Sequence, residues 1–292
     1  MDKKLMQQII KEALSKKLGA DFQISIEEVL KTNQKRDALI IRPTQETTTP
    51  LIYLEPYYKD LEGNMPLDDV INDILDDYFR AIYRSENYDV SPVFDFDWAK
   101  DRLYVRIINR HLNEEMLKKV PHSLFLDDFA VTVHCFVGTK AQEEASLMIT
   151  DKFLKLWNVR SDALVSYAIQ NTRKISGVEL MNMQDFLRKL DLDGFFDAAF
   201  SVPIWILTNR QKQFGAASIL FDDVLKDFAK DFGDFYTVFS SVHEILLLPA
   251  ENNSDLDTIS LMNRSVNETE VAENEILGTK AYYYSMDKGF IL

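Results

Sequence analysis

Ser240-Ser241-Val242-His243-Glu244-Ile245-Leu246-Leu247-Leu248 is the stretch on which the fold turns. Its apolar end does not alternate between polar and apolar residues. This predicts a central strand over Val242 to Leu248, covered on both faces, with polar groups gathered at its mouth. Outward from it, Ile204 to Thr208, Ala216 to Leu220 and Phe235 to Phe239 read as further strands. A helix from Asp222 to Phe232 stops at Gly233, and a last strand falls at Ala281 to Ser285. Ser254 with Asp257 approximates a capping box for a helix carrying Leu256, Ile259, Met262 and Val266.

Further upstream, Phe129, Val131, Val133, Cys135 and Val137 fall on alternate positions, the period of a strand, and Ala145 to Thr150 follows as its neighbour. Helices are expected at Asp151 to Trp157, at Asp162 to Thr172 and around Met181 to Leu190. The chain begins with helical spacing of Leu5, Met6, Ile9, Ile10, Ala13, Leu14 and Leu18, ended by Gly19. Phe22 to Leu30 and Ala38 to Arg42 form a hairpin around a polar tip, with a third strand near Leu51 to Leu54. The strongest period is Leu67, Val70, Ile71, Ile74, Leu75, Tyr78, Phe79 and Ile82, a helix introduced by Pro66. These elements define an α+β protein with mixed or antiparallel sheets and packed helices. Two sub-domains, 1–125 and 126–292, are expected, with one continuous domain as the alternative.

The chain has 33 Lys and Arg against 47 Asp and Glu, a formal charge of -14, and no compact basic patch. Such a surface repels phosphate backbones and anionic lipids, so neither direct nucleic-acid binding nor a membrane role is expected. The single cysteine, Cys135, excludes an internal disulfide and a cysteine-rich zinc site. The first residues lack a hydrophobic signal core, which with the cysteine usage points to the cytoplasm.

No two of the nine glycines lie close enough to make a phosphate-cradling loop or a dinucleotide fingerprint. The four histidines, His111, His122, His134 and His243, include no pair at metal-ligand spacing. Asp191-Leu192-Asp193-Gly194 lacks the first and twelfth ligands of a calcium loop. Asp95 and Asp97 read as alternating charges on an exposed strand. No metal and no cofactor is expected.

Two constellations remain. Ser241, His243 and Glu244 bring a nucleophile, a base and an acid to the mouth of the apolar strand, but in an extended chain His243 and Glu244 point apart, and a hydrogen-bonded strand entrance suffices. Thr208 and Asn209, ahead of Gly215-Ala216-Ala217, would join His243 in a ligand pocket at the sheet end. On the helix that follows Pro66, Asp68, Asp69, Asp73, Asp76 and Asp77 crowd one face. Solvation explains that face, and a basic protein partner is the functional reading.

Pro50 to Tyr58, Ile107-Ile108-Asn109 with Val120-Pro121-His122, Leu156-Trp157 with Ala168 to Thr172, Trp205 to Asn209 with Gly215-Ala216-Ala217, and Ser240 to Glu244 before Pro249 together resemble a bacterial family that carries only a domain-of-unknown-function label. The resemblance covers nearly the whole chain and implies a shared fold and a bacterial setting, with no activity, cofactor or residue role. Similar proteins usually have proline where Phe239 stands. A weaker likeness, in the Leu-x-x-Trp helix and the Asn-Thr end of the next, points to a second uncharacterised bacterial family.

The expected function is that of a protein-binding adaptor or regulator, with a link to mobile elements and with self-association left open, and the balance is against an enzyme. The alternatives are an enzyme built on Thr208, Asn209, Ser241, His243 and Glu244, and an acidic mimic of nucleic acid.

Overall fold

In the first ninety residues, apolar side chains at helical spacing meet apolar strand faces. The computed structural model describes residues 1–44, 49–85, 89–140, 143–189, 203–250 and 255–291. The chain separates into two compact units, 1–90 with 140–143, and 91–139 with 144–292. The division falls at 90/91 and not at 125, where a hairpin shares its sheet with residues from both sides.

In the first unit, α1 (Lys3–Leu18) buries Met6, Ile10 and Leu14, each one turn from the next. Gly19 ends it at φ 76, a backbone state that suits glycine. β1 (Phe22–Lys31) and β2 (Gln34–Pro43) pair in the register Lys31↔Gln34 at the polar tip, and β3 (Leu51–Tyr53) pairs with β2 on the other side. α2 (Glu55–Glu62) and α3 (Leu67–Ser85) follow, and Val70, Ile71, Ile74 and Tyr78 of α3 join Leu39, Ile41 and Ile52 in one core.

Asp37 of β2 is buried in this unit. It accepts hydrogen bonds from Gln7 Nε2 at 2.6 Å and the Tyr58 hydroxyl at 2.8 Å, and Lys3 Nζ lies 3.0 Å away. Burial alone would raise its carboxyl, but the bonds from Tyr58, Lys3 and Gln7 outweigh burial and hold it below the usual carboxylate range. A depressed folded-state value stabilises above the unfolded carboxyl value, about 4, and that contribution is lost as the pH falls through the folded-state value. Acid titration followed by circular dichroism should show the first unit losing stability below about pH 4. In Asp37→Asn that acid dependence should shrink, with lower stability at neutral pH. An unchanged acid limb in the variant would refute this account.

The second unit holds two sheets. α4 (Phe96–Ala99) precedes β4 (Leu103–Asn109), α5 (Glu114–Leu117) and the strands β5 (His122–Phe125), β6 (Phe129–Lys140) and β7 (Glu143–Met148). β4 and β5 pair with β6 antiparallel, and β7 also pairs with β6. After α6 (Asp151–Trp157) and α7 (Ser161–Ser176) come β8 (Glu179–Asn182), α8 (Met183–Lys189), β9 (Trp205–Thr208), α9 (Asp222–Phe232), β10 (Phe235–Val238), β11 (Ile245–Pro249), α10 (Leu256–Thr269), β12 (Ala281–Ser285) and β13 (Gly289–Ile291). The second sheet has the order β13-β12-β10-β11-β9-β8, with every resolved pairing antiparallel.

β11 is therefore an inner strand, and its two faces are both covered. Ile245 and Leu247 lie in the main core, while Leu246 and Leu248 pack with Ile259 of α10 on the other side. The strand starts at Ile245, so Val242, His243 and Glu244 form its approach rather than its first residues.

Three local expectations are corrected. Gly215–Leu220 is a 3-10 helix, not a strand, held down by Ser218 Oγ donating to Thr208 O at 2.8 Å. Met181 and Asn182 belong to β8, and the helix begins only at Met183. Asp95 caps α4 by accepting from Asp97 N at 2.9 Å, and Asp97 pairs with Lys100, so this pair does not sit on a strand. Asp255 caps α10 by accepting from Thr258 N at 2.7 Å, whereas Ser254 and the Asp191 to Gly194 segment lie outside the described residues. Among the described residues no helix is long and apolar enough to cross a membrane.

Candidate functional site

The mouth of β11 gathers the residues that the sequence singled out. Thr208, at the end of β9, donates through Oγ1 to His243 O at 2.7 Å. The Phe214 amide donates to His243 Nδ1 at 3.1 Å, which leaves the proton of a neutral ring on Nε2. That nitrogen lies 3.4 Å from Glu275 Oε1. Asn209 closes its own loop, donating through Nδ2 to Gln213 O at 2.8 Å and accepting from Gln213 N at 3.2 Å. His243 is thus brought against the Thr208–Asn209 loop, as the sequence led us to expect.

The chemistry of the mouth follows from who bonds to whom. Ser241 is buried, and its Oγ accepts from the amide of His243, not from the ring. Burial pushes the Glu244 carboxyl above its usual range, against the opposing pull of His243 and of a hydrogen bond with Ser241. Among the described residues there is no Ser–His side-chain hydrogen bond here, so a nucleophile–base relay is not assembled. Asn209 has both amide atoms engaged in its own loop, through its two bonds with Gln213.

Next to this knot, and missed in the sequence, is Arg106 of β4. Its guanidinium lies 3.6 Å from the centroid of the Phe214 ring, and one terminal nitrogen donates to the Tyr104 hydroxyl at 2.6 Å and to Ser146 Oγ at 2.8 Å. Phe214 holds φ 54, a left-handed state uncommon for a bulky residue, and is kept there by its bond to His243 and its stacking on Arg106. A cleft of about 50 Å³ opens beside Arg106, with Thr172, Asn209 and Gln213 among its walls. The signal in the sequence was a lone arginine inside the apolar run Tyr104-Val105-Arg106-Ile107-Ile108.

The first unit carries a different feature. Asp68, Asp69, Asp73, Asp76 and Asp77 are all exposed on α3, as the period predicts. Asp73 and Asp77, one turn apart, line a groove of about 490 Å³ together with Asp60, Tyr57 and the whole of β3, while Asp68 faces the α1 side. Residues 51, 52 and 53 alternate faces, so a groove touching all three runs along the outer edge of β3. Leu54 N donates to Asp37 O, so the ladder alternation turns the backbone groups of Leu51 and Tyr53 toward that edge. The Tyr57 hydroxyl donates to Asp77 at 2.5 Å and is held above its usual range by burial, by this bond and by the charges of Asp77 and Asp73. Arg36 and Arg80 complete the walls, Arg36 over the Tyr53 ring.

The remaining histidines serve local structure. His122 Nδ1 lies 2.9 Å from Val120 O, and His111 pairs with Asp128. Asn109 caps the turn after β4 by accepting from Leu112 N at 2.8 Å. Among the described residues no group of three or more His, Cys, Asp or Glu is arranged to hold a metal ion.

Residues 4–286 match the model of a family of unknown function, DUF5688. The chain belongs to this family. Membership covers both units and agrees with the resemblance carried by the motifs, and it brings no activity. No curated protein and no solved structure matches the chain.

Proposed function

We propose that this member of the family is a protein-binding module whose first unit receives an extended, basic segment of a partner along the outer edge of β3. The observation that carries the reading is the groove in which the outer edge of β3, which has no strand partner among the described residues, lies with the carboxylates of Asp60, Asp73 and Asp77. An open strand edge offers a partner main-chain hydrogen bonds, and side chains on alternate positions then meet the groove walls. Lysine or arginine at those positions would meet Asp73 and Asp60, and apolar residues would meet Tyr53 and Tyr57. The excess of acidic over basic residues in the chain speeds encounter with such a segment. A cytoplasmic adaptor or regulator, with the link to mobile elements noted above, is the setting we infer for this binding.

Selection of a random-peptide display library on the full chain tests this. Selected peptides should alternate basic and apolar residues, and their affinity should fall as salt rises. Asp60→Asn with Asp73→Asn should weaken them by about tenfold, since two charge-assisted contacts are lost. Peptides without basic residues, or equal binding by the double variant, would overturn the proposal.

A further inference from the structure

The geometry points to a second binding site, in the other unit: the cleft beside Arg106 takes a small oxyanion, a carboxylate or a phosphate, held by the guanidinium. Arg106 forms no ion pair with any described residue, although the chain carries an excess of acids. Its Nε is buried and has no hydrogen-bond partner. A guanidinium taken partly out of water without a carboxylate is costly, and one unbonded N–H on it adds to that cost. An anion in the cleft supplies the missing counter-charge.

The surroundings suit that role. Phe214 and Tyr104 present ring faces to the guanidinium, which fixes its plane while leaving its rim for in-plane hydrogen bonds. Phe214 keeps a left-handed backbone to do so, an unfavourable state that the bond to His243 stabilises. The neighbouring His134 is wholly buried and stays neutral, through burial first and the Arg106 charge second, and among the residues lining the cleft the cation is Arg106. Among the residues lining the cleft the one carboxylate is Glu144, exposed at the rim. The volume of about 50 Å³ sets the size: a few heavy atoms fit, and a nucleotide does not. The planar fork of arginine pairs with carboxylate and phosphate oxygens alike, so the two share one chemistry.

Calorimetric titration of the full chain with inorganic phosphate, sulfate and acetate at constant ionic strength tests the site. Saturable binding of one equivalent is expected, with a matching rise in melting temperature. Arg106→Gln should weaken it by about tenfold or more, and Arg106→Lys should recover it only in part because the fork is lost. Glu144→Gln, at the exposed rim, should tighten it roughly two- to fivefold by removing a repulsion. Should Arg106→Gln fail to fold, Glu144→Gln decides alone. Competition by a short peptide with a free carboxyl-terminus, and none by its amidated form, would identify a chain end as the source, while competition by neither assigns a free anion. No saturable binding of any of the three anions, or an affinity unchanged by Glu144→Gln, would overturn the inference.

Discussion

Gly215→Ala is expected to destabilise the second unit by about 3 kcal/mol or more, lowering its melting temperature by roughly 6–12 °C. A Cβ at this position would lie 2.2 Å from Thr208 Oγ1, 2.6 Å from Asn209 N and 2.7 Å from His243 O. Two of those atoms are backbone and the third is the hydroxyl that ties β9 to the approach of β11, so no flexible tip can move aside. The glycine is needed for this closeness and not for an unusual φ. Gly138→Ala is the control: nothing lies within 4 Å of its Cβ position, and its effect should stay within about 0.5 kcal/mol. Trp98, Trp157 and Trp205 all belong to the second unit, so tryptophan fluorescence during thermal unfolding reports on this unit alone. Equal melting of the two variants would mean that the turn relaxes freely and that the knot around His243 is not rigid.

Phe239→Ala is the second large effect, at about 3–5 kcal/mol. The Phe239 ring is fully buried, stacks on Phe129 with centroids 4.5 Å apart and meets Tyr282 edge-on at 5.3 Å. Phe129 belongs to the β4-β6-β5 sheet and Phe239 follows β10 of the other, so this stack is one of the places where the two sheets of the unit are held together. In this chain the position supplies a core ring. A loss below about 1 kcal/mol in denaturant midpoints, read by the same fluorescence, would show that the ring's neighbours collapse into its space.

Much of this architecture is legible in the residues. The helical periods of α1, α3 and α9 survive unchanged because their apolar stripes are wide and their ends are marked by Gly19, Pro66 and Gly233. The doubly apolar run at Ile245 to Leu248 does become an inner strand covered on two sides. The short elements are where local pattern misleads. Ala216 to Leu220 looks extended, yet small residues beside Thr208 allow a tighter 3-10 coil with a side-chain bond to β9. α2 was not foreseen, since Pro56 and two tyrosines obscure its period, although proline is at home in a first helical turn.

At the candidate sites the same contrast holds. Thr208, Asn209 and His243 could be grouped from sequence because each flanks a recognisable strand. Arg106 could not be joined to Phe214, since one lies in the β4 strand and the other more than a hundred residues later, in a loop whose handedness no pattern reports. The edge of β3 was equally hidden, because three residues of strand say nothing about which neighbour they lack.

The order β13-β12-β10-β11-β9-β8 has a consequence for how the chain is made. During synthesis each strand of this sheet after β8 emerges beside one already present, with a single exception: β10 leaves the ribosome before β11, the ribbon that joins it to β9. A nascent chain halted just short of Ile245 would hold the β8–β9 pair and a solitary β10 with a one-strand gap between them, and arrival of Ile245 to Pro249 closes that gap in one step.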